Sequence, residues 1–505
     1  MFNAYFGMFK NFAQVYSFLF IANVLISAFI ILFDNKKPIS TLLWVMAINF
    51  LPVIGFIFYL FIGQDISKSR IFDGKNRADM ILEKDSEYQL KQLKEDSFEY
   101  SNDRTRAHLD MVEMFNRAED EILYTNNRVK VYNEGESKFK DLFDDLRQAK
   151  HTIYVQYYIY KSDELSTEFT NILKEKAREG LDVYLLIDGM GIRKMTLRDR
   201  RELKEAGVKF GIFFPGLISK INTHMNYRNH RKIVVIDKRI GYVGGFNVGD
   251  EYVSKGPMGF WRDTHLRIVG PAVNGLAWRF FLDFKFASNE HTKGFTTEIF
   301  PEIEDGIDIN IVTSGPDTKA DSIRNGYEKL ITSARKEVYV QTPYFVPDEG
   351  LLKALKVAAL SGVEVHLMFP KKRDHIFVHW ASLSFMGELL KWGAHVYQYE
   401  GGFLHTKVVI SDDYLSSVGT ANFDIRSFEL NFEVNAFLYD EEINKKLKED
   451  FKEDLKSCTE ITPEIYNNRS RFTKFRNHLK TIVTTFIKME MLNRKGKKPS
   501  NKGRR

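Results

Sequence analysis

The sequence has little cysteine and no glycine-rich phosphate loop. Cys458 is the one cysteine among 505 residues, which excludes an intramolecular disulfide and any zinc or iron–sulfur site built from several thiolates. The glycines of "DGMGIR" at 188–193 are too weak a signal for a nucleotide-binding motif. Chemistry driven by nucleotide hydrolysis is therefore not indicated, and a single thiol suits a reducing compartment.

Basic residues outnumber acidic ones, but the excess lies at the two ends of the chain. The net charge is +6, of which residues 469–505 contribute +12 and residues 1–62 contribute +2, so that residues 63–468 carry −8. A body with net negative charge is a poor non-specific binder of nucleic acid. We therefore expect no nucleic-acid partner.

The long uncharged apolar runs lie at the N-terminus. Residues 15–33 and 41–62 contain no charged side chain, and each run is long enough to cross a bilayer core of about 30 Å as a helix. A cleaved signal peptide is the alternative, but no small-residue cleavage site follows the first run and a second run comes at once. We expect a two-helix transmembrane hairpin over residues 1–63.

Lysine and arginine residues around this hairpin set its expected orientation. Four follow the second run, two lie in the connecting loop and one precedes the first run: Lys68, Arg70, Lys75 and Arg77, then Lys36 and Lys37, then Lys10. By the positive-inside rule, we expect a multi-pass protein of the cell membrane with its large body and C-terminus in the cytoplasm.

The body contains an internal repeat. "SARKEVYVQTPY" (333–344) parallels "QAKHTIYVQYYI" (148–159), and "LKVAALSGVEVHLMF" (355–369) parallels "LKEKAREGLDVYLLI" (173–187). Each copy alternates buried strand patterns with helical ones, which is typical of an α/β layer. The sequence therefore predicts an α/β fold with two copies of one unit.

The repeat and the changes in composition divide the chain into five predicted segments. They are the hairpin at 1–63, a polar linker at 64–125, the first repeat at 126–305, the second at 306–460, and a basic amphipathic tail at 461–505. The tail has one apolar stripe at helical spacing on a cation-rich background, formed by Phe472, Phe475, Leu479, Ile482 and Phe486. That pattern indicates an interfacial helix on anionic lipid, and the alternative is a helix packed on the body before a disordered basic end.

Each repeat ends in the same polar motif, H-x-K-x4-D-x6-G-x2-N. The first copy is "HRKIVVIDKRIGYVGGFN" and the second is "HTKVVISDDYLSSVGTAN", with an offset of 175 at every motif position: His230, Lys232, Asp237, Gly244 and Asn247; His405, Lys407, Asp412, Gly419 and Asn422. In a strand, residues i and i+2 share a face, so the histidine and lysine of each copy point the same way. We expect the two copies to meet at a pseudo-symmetric seam.

The donors of this motif suit a phosphodiester substrate. Two lysines, with the amides of Asn247 and Asn422, would neutralise the phosphoryl oxygens and the charge that grows in a five-coordinate transition state. One histidine would attack phosphorus to give a phosphohistidine, while the other would protonate the leaving oxygen. The duplication follows from this chemistry, because nucleophile and acid approach the phosphate from opposite sides.

A histidine in such a role needs a carboxylate on its other ring nitrogen. Two acids lie at comparable distances after the histidines: Asp263 is 33 residues after His230, and Glu433 is 28 residues after His405. We expect these two carboxylates to orient the histidines, and the alternative is that they are surface or salt-bridged acids.

The sequence resembles the phospholipase D superfamily and, within it, the bacterial cardiolipin synthases with two motifs and a membrane anchor. The resemblance covers residues 1–460 and is carried by the two motifs and four other segments: "LPVIGFIFYLFIGQ", "WRDTHLRIVGPAV", "TPYFVPD" and "GTANFDIRSFELNFE". It implies two phospholipase D-like repeats, each contributing to a mixed sheet flanked by helices. No family pattern is recognisable in the tail after residue 468.

The resemblance also implies an activity. Phosphatidylglycerol would be the phosphatidyl donor and a second phosphatidylglycerol the acceptor, giving cardiolipin and glycerol in the membrane. It implies His230 as the nucleophile, His405 as the general acid/base, and Asp237 and Asp412 as structural supports. No cofactor and no metal are implied, and the oligomeric state is left open.

Three other functions compete with this interpretation. The closest is a phospholipase D or phosphatidyltransferase that uses water or another alcohol, because the motif fixes the donor chemistry and not the acceptor. A nuclease of the same superfamily is disfavoured by the hairpin and the acidic body, and a non-catalytic scaffold by the two intact histidine–lysine pairs. The D-G-x2-A-R signature of CDP-alcohol transferases is absent, which argues against a CDP-diacylglycerol donor.

Overall fold

A computed structural model describes residues 17, 20–28, 38–51, 80–214, 227–288, 296–318 and 320–469. The chain divides into two compact units, Met1–Ile71 with Thr481–Arg505, and Phe72–Lys480. The tail beyond residue 469, with its predicted apolar stripe, lies outside the described residues.

The described part of the first unit is helical and largely apolar. Residues 20–28 form one helical stretch, and helix α1 spans Pro38–Phe50. The two contact each other, since Asn49 Nδ2 donates to Ser27 Oγ at 3.0 Å and Ile26 packs against the buried pair Trp44 and Ile48. Within these described stretches no helix has both the length and the apolarity needed to cross a membrane. About half of the two predicted spans, residues 15–33 and 41–62, lies outside the described residues.

The second unit is built on eighteen described strands. Their bounds are β1 Leu123–Tyr132, β2 Thr152–Tyr157, β3 Asp182–Asp188, β4 Lys209–Phe213, β5 Arg228–Asn229, β6 Ile233–Ile236, β7 Ile240–Gly244, β8 Trp261–Arg262, β9 His265–Val269, β10 Ile307–Ser314, β11 Glu337–Gln341, β12 Glu364–Pro370, β13 His395–Tyr399, β14 Phe403–Leu404, β15 Val408–Ser411, β16 Leu415–Gly419, β17 Asn431–Tyr439 and β18 Cys458–Glu460. Sixteen of them form one sheet, and β8 and β14 form a separate pair.

The strand order of the large sheet reveals the duplication. It runs β18-β13-β12-β11-β15-β16-β17-β10-β1-β9-β7-β6-β2-β3-β4, with β5 pairing to β17 off this path. Parallel strands β2, β3 and β4 on one side correspond to parallel strands β11, β12 and β13 on the other. Antiparallel hairpins lie inside them, and β1 and β10 join the halves. The predicted α/β fold with a mixed sheet and two related repeats is confirmed.

Helices cover both faces of this sheet. They are α2 Met80–Lys94, α3 Leu109–Glu119, α4 Gly135–Arg147, α5 Glu164–Arg178, α6 Leu197–Glu205, α7 Ala272–Ala287, α8 Ser322–Ser333, α9 Glu349–Leu360, α10 Ile376–Leu390, α11 Ile425–Glu429, α12 Glu441–Leu455 and α13 Pro463–Asn467. Strand β6 shows the two-sided burial, because Val234 joins the core that contains α4 and α5 while Ile233 joins the core that contains α7. Alternate side chains of a buried strand reach opposite layers in this way.

Part of the segment expected to be a polar linker is folded into this unit. Of residues 64–125, those from residue 80 onward are described, and they include α2 and α3. Phe115 of α3 is buried in the core below the second repeat, and Ser86 of α2 donates to Asn116 at 2.9 Å. The described part of this segment therefore packs on the body.

Candidate active site

Each motif histidine is positioned by a strand from the opposite repeat. β5, just before His230, pairs in parallel with the start of β17, and the His230 amide donates to the Phe432 carbonyl at 2.9 Å. In the same way β14, just before His405, pairs with β8, and the His405 amide donates to the Arg262 carbonyl at 2.7 Å. The two motifs therefore meet at one seam, where the repeats exchange backbone hydrogen bonds.

The predicted carboxylates contact the histidines, but they are exchanged relative to their order in the chain. Glu433, which follows His405, lies with Oε2 3.0 Å from Nδ1 of His230. Asp263, which follows His230, lies with Oδ2 2.6 Å from Nδ1 of His405. The exchange follows from the backbone pairing, because each carboxylate is next in sequence to the residue that accepts from the opposite histidine. Both carboxylates are fully buried.

Burial and the carboxylates together define the state of the histidines. Burial lowers the pKa of His230 to about 4, against the opposing effect of Glu433. Burial also lowers the pKa of His405, and the charge of Lys407 adds to this effect. Burial thus favours the neutral form of both imidazoles without substrate. A neutral ring that donates its Nδ1 proton to a carboxylate carries a lone pair on Nε2, as a nucleophile requires.

The two motif lysines lie beside their histidines, in the short connections between β5 and β6 and between β14 and β15. Lys232 Nζ donates to the His230 carbonyl at 2.6 Å, and Lys407 Nζ donates to the His405 carbonyl. Burial lowers the pKa of Lys232 to about 7 and that of Lys407 to about 8. The charge of Lys407 depresses the pKa of Lys232 further, so the two ammonium groups act on one region. An anion bound there would relieve this repulsion.

The motif aspartates lie at the far end of their strands and hold a turn. Both oxygens of Asp237 accept backbone N–H groups of residues 150–152 at 2.7–2.9 Å. Asp412 repeats the contact with residues 335–337 at 2.7–3.0 Å. Both aspartates have positive φ angles, +51° and +46°. Their contacts are with backbone rather than with the histidines.

The motif asparagines and glycines play different parts. The side chain of Asn247 is hydrogen-bonded within the protein, because its Oδ1 accepts from the Ile159 amide at 3.1 Å and its Nδ2 donates to the Tyr252 hydroxyl at 3.2 Å. Asn422 is buried, and among the described residues its Oδ1 has no hydrogen-bond partner. A Cβ on Gly419 would meet the Asn435 side chain at 2.2 Å. The glycine therefore permits close packing between strands rather than the close approach of a ligand.

Two buried polar clusters beneath the histidines were missed by the sequence analysis. In the first repeat, Asp283 accepts from Arg231 at 2.7 and 2.8 Å and from Gln156 at 2.8 Å. In the second, Asp454 accepts from Arg262 at 2.9 Å and from Gln341 at 2.8 Å. The sequence feature that could have indicated these clusters is the pair of aligned glutamines in "YVQYYI" and "YVQTPY", Gln156 and Gln341. The arginine that completes each cluster follows His230 in one case and precedes Asp263 in the other.

One group of possible metal ligands lies on β11 and β12. Glu337, Glu364 and His366 offer ligand atoms within 4.8 Å of one another. Glu337 already accepts from Lys448 Nζ at 2.6 Å and from the Tyr339 hydroxyl. The ammonium group of Lys448 thus already pairs with Glu337, one of the three residues, and the histidine seam does not include this group.

Comparison with known proteins agrees with this geometry. The family model "Cardiolipin synthase, PLD-like domain" matches residues 142–256 and 327–455, and "Phospholipase D-nuclease N-terminal" matches residues 21–64. The major cardiolipin synthase ClsA of Bacillus subtilis (strain 168) is 42% identical over 93% of this chain and 98% of its own length. A cardiolipin synthase of Staphylococcus aureus (strain Mu50) is 43% identical over 93% of this chain and 95% of its own.

A solved structure supports the fold. The phosphatidylserine synthase of Haemophilus influenzae Rd KW20 superposes with a TM-score of 0.59 at 14% identity, over 78% of this chain and all of its own. A duplicated sheet with one histidine–lysine pair from each half is the arrangement of the phospholipase D superfamily. Within it, the chain belongs to the bacterial cardiolipin synthase family. It is accordingly a phosphatidyltransferase.

Proposed function

We propose that this chain joins two molecules of phosphatidylglycerol into cardiolipin, with release of glycerol, through a phosphohistidine on His230. The observation that supports the proposal is the crossed pairing at the seam, in which each repeat supplies one histidine and the carboxylate of the other. Two such histidines, with a lysine beside each, provide a nucleophile, an acid and two cations for one phosphodiester.

In the first half-reaction Nε2 of His230 attacks phosphorus, and the bond from phosphorus to the oxygen of the head-group glycerol breaks. His405 gives its proton to that oxygen, so glycerol leaves as a neutral alcohol. Lys232 and Lys407 neutralise the two non-bridging oxygens, on which charge grows in the transition state. The incoming phosphate, being negative, favours the protonated form of His405 and opposes the effect of burial on its pKa.

In the second half-reaction a hydroxyl of another phosphatidylglycerol attacks the phosphohistidine. His405 takes the hydroxyl proton, the phosphorus–nitrogen bond breaks, and His230 regains its lone pair. Over the whole cycle one phosphoester bond is broken and another is formed, so the exchange needs no nucleotide as an energy source. Asp237 and Asp412 take no part in proton transfer, because their carboxylates are bonded to backbone N–H groups. Of the motif amides, Asn422 is the better placed to donate to the phosphate, since Asn247 already donates to Tyr252.

We also propose that residues 1–63 anchor the chain as a membrane hairpin, with the body and C-terminus in the cytoplasm. Support comes from the two uncharged runs and the four cations after the second run, and the N-terminal family match covers the same region. An anchored body meets its lipid substrate at the bilayer surface. Partners beyond lipid are not required by this function.

The experiment uses the purified full-length protein in detergent micelles with phosphatidylglycerol radiolabelled in the head-group glycerol and in the acyl chains. We expect cardiolipin and free glycerol in equal amounts, and loss of both in His230→Ala and His405→Ala. His151→Ala, which removes an exposed histidine of the first repeat, is the matched control and should be fully active. Accumulation of phosphatidic acid in place of cardiolipin would show that water is the acceptor and the protein a phospholipase D.

A further inference from the structure

Asp263, the acid that contacts His405, lies outside the strand ladders. It falls in the connection between β8 and β9, whereas Glu433, the acid that contacts His230, is in β17 with Ser314 as its register partner. A carboxylate orients an imidazole only while it stays at hydrogen-bond distance, which is 2.6 Å from Nδ1 of His405. The backbone that carries Asp263 therefore depends on side-chain contacts to hold it in place.

Arg262 makes such contacts by folding back onto the end of its own strand. Its Nη1 donates to the Asp263 carbonyl at 2.8 Å, and the hydroxyls of Thr264 and Thr406 lie 3.2 and 3.4 Å from the same nitrogen. Its own carbonyl accepts from the His405 amide at 2.7 Å. One residue is thus bonded to the main chain of both members of the histidine–carboxylate pair.

Asp454 fixes the direction of this guanidinium group. It lies in α12, where its Oδ1 accepts from Nε of Arg262 at 2.9 Å and its Oδ2 accepts from Gln341 of β11 at 2.8 Å. All three side chains are buried. Because the guanidinium donors form a rigid plane, a carboxylate that holds Nε also fixes the direction in which Nη1 points. Two residues of the second repeat therefore set the position of an acid from the first.

The other histidine–carboxylate pair has the same kind of contact from a different residue. Arg231 donates through Nε to the Glu433 carbonyl at 3.0 Å and pairs with Asp283. The offset of 175 that relates the motifs places Thr406 at the position equivalent to Arg231, so Arg262 reaches its target from another place in the sequence. The contact is therefore a feature of both pairs and not a by-product of the duplication.

We propose that Arg262 is a positioning residue, which holds Asp263 in place to orient His405. Asp454 serves this role by holding the guanidinium group. The proposal rests on the proposed function, in which His405 protonates the leaving glycerol and later deprotonates the acceptor hydroxyl. A displacement of about 1 Å in such a group can cost roughly 100-fold in rate. Loss of the arginine should therefore slow the two proton transfers and leave the attack by His230 intact.

The test uses the double variant Arg262→Met with Asp454→Asn in the purified full-length protein. Removing both charges leaves no unpaired ion of this pair in the interior, and the new asparagine can still accept from Gln341. Two donor lipids are compared: phosphatidylglycerol, whose leaving glycerol needs a proton, and phosphatidyl-p-nitrophenol, whose leaving group departs as an anion. We expect cardiolipin formation to fall roughly 10- to 100-fold, while the initial burst of p-nitrophenol stays near that of the unmodified protein.

Two further double variants serve as controls. Arg324→Met with Asp348→Asn removes a partly buried ion pair that joins α8 to the start of α9, outside the seam, and should leave both activities unchanged. Arg231→Met with Asp283→Asn removes the corresponding buried pair on the other side. It should leave the ratio of the two rates unchanged, because both lipids need the nucleophile His230.

The outcomes distinguish a positioning role from a purely structural one. Thermal unfolding is measured for every variant, and if the double variant does not fold, Arg262→Lys replaces it, because lysine keeps a cation beside Asp454 but lacks the second nitrogen that reaches the Asp263 carbonyl. A folded variant with equal losses for both lipids, or with no loss for either, would overturn the positioning role. Release of p-nitrophenol by the unmodified protein without any cardiolipin from phosphatidylglycerol would overturn the proposed function instead.

Discussion

The crossed pairing of histidines and carboxylates makes the two carboxylates unequal in a testable way. Glu433 orients His230, the proposed nucleophile, and Asp263 orients His405, the proposed acid/base. Glu433→Gln should therefore damage formation of the phosphohistidine itself. Asp263→Asn should damage the two proton transfers and leave the nucleophile intact.

The expected size of each defect follows from the contact that is lost. Each carboxylate is fully buried, and each accepts one charge-assisted hydrogen bond from a ring nitrogen, at 3.0 Å for Glu433 and 2.6 Å for Asp263. A bond of this kind contributes about 1.5–3 kcal/mol, or roughly 10- to 150-fold in rate. An amide can also donate to the ring and stabilise the wrong tautomer, and in a serine protease triad the equivalent change costs roughly 10⁴-fold. We expect losses on the order of 10²- to 10⁴-fold in either variant.

A lipid with an activated leaving group separates the two variants. Phosphatidyl-p-nitrophenol releases an anion that needs no proton, so the first half-reaction no longer depends on His405. Asp263→Asn should give a burst of p-nitrophenol close to one equivalent of enzyme, followed by slow turnover. Glu433→Gln should give no burst, because its nucleophile is impaired.

The opposite result would refute the reasoning. A burst in Glu433→Gln with none in Asp263→Asn would mean that Asp263 orients the nucleophile. The nucleophile would then be His405, or Asp263 would pair with His230, the histidine that precedes it in the chain. Equal bursts in both variants would mean that neither carboxylate orients the nucleophile. Lipid that remains bound to the denatured protein during the burst identifies the intermediate as covalent.

Three further results are expected. Burial lowers the pKa of His230 to about 4 and also lowers the pKa of the acid His405 below its usual value, so kcat/KM should rise with pH through about 4, where the nucleophile becomes neutral, and fall as pH rises through the lowered pKa of His405, before Lys232 loses its proton near 7. Asp237→Ala removes three backbone contacts and should lower the free energy of unfolding by about 2–3 kcal/mol in a denaturant titration. Asp283→Ala leaves the fully buried Arg231 without its carboxylate and should cost about 3–5 kcal/mol in the same titration.

The sequence predicts the repeated unit and its polar motif because both are visible as a constant spacing between residues. His230 and Lys232 are two residues apart in the connection between β5 and β6, where Lys232 Nζ donates to the His230 carbonyl. The same spacing recurs at His405 and Lys407, so one description covers both halves.

Pairings between the repeats could not be predicted in this way. Asp263 and Glu433 were identified as orienting acids, but their assignment depends on β8 pairing with β14 and β17 pairing with β5, contacts between segments more than 140 residues apart. Nothing local in "FWRDTH" indicates which histidine it will meet. The structural role of Asn247 could not be predicted for a related reason, since its partner Ile159 lies just after β2, far from Asn247 in the chain.

The exchange of carboxylates also explains why the two repeats remain in one folded body. If each repeat oriented its own histidine, one repeat would hold a complete histidine–carboxylate pair, and the seam would only have to bring two finished pairs together. As the structure stands, a separate repeat would contain a histidine without its carboxylate and a buried carboxylate without its histidine. An unpartnered buried charge is costly, so catalysis and the stability of the seam depend on the same two contacts. Loss of either carboxylate should therefore weaken the seam and also impair the one histidine that this carboxylate orients.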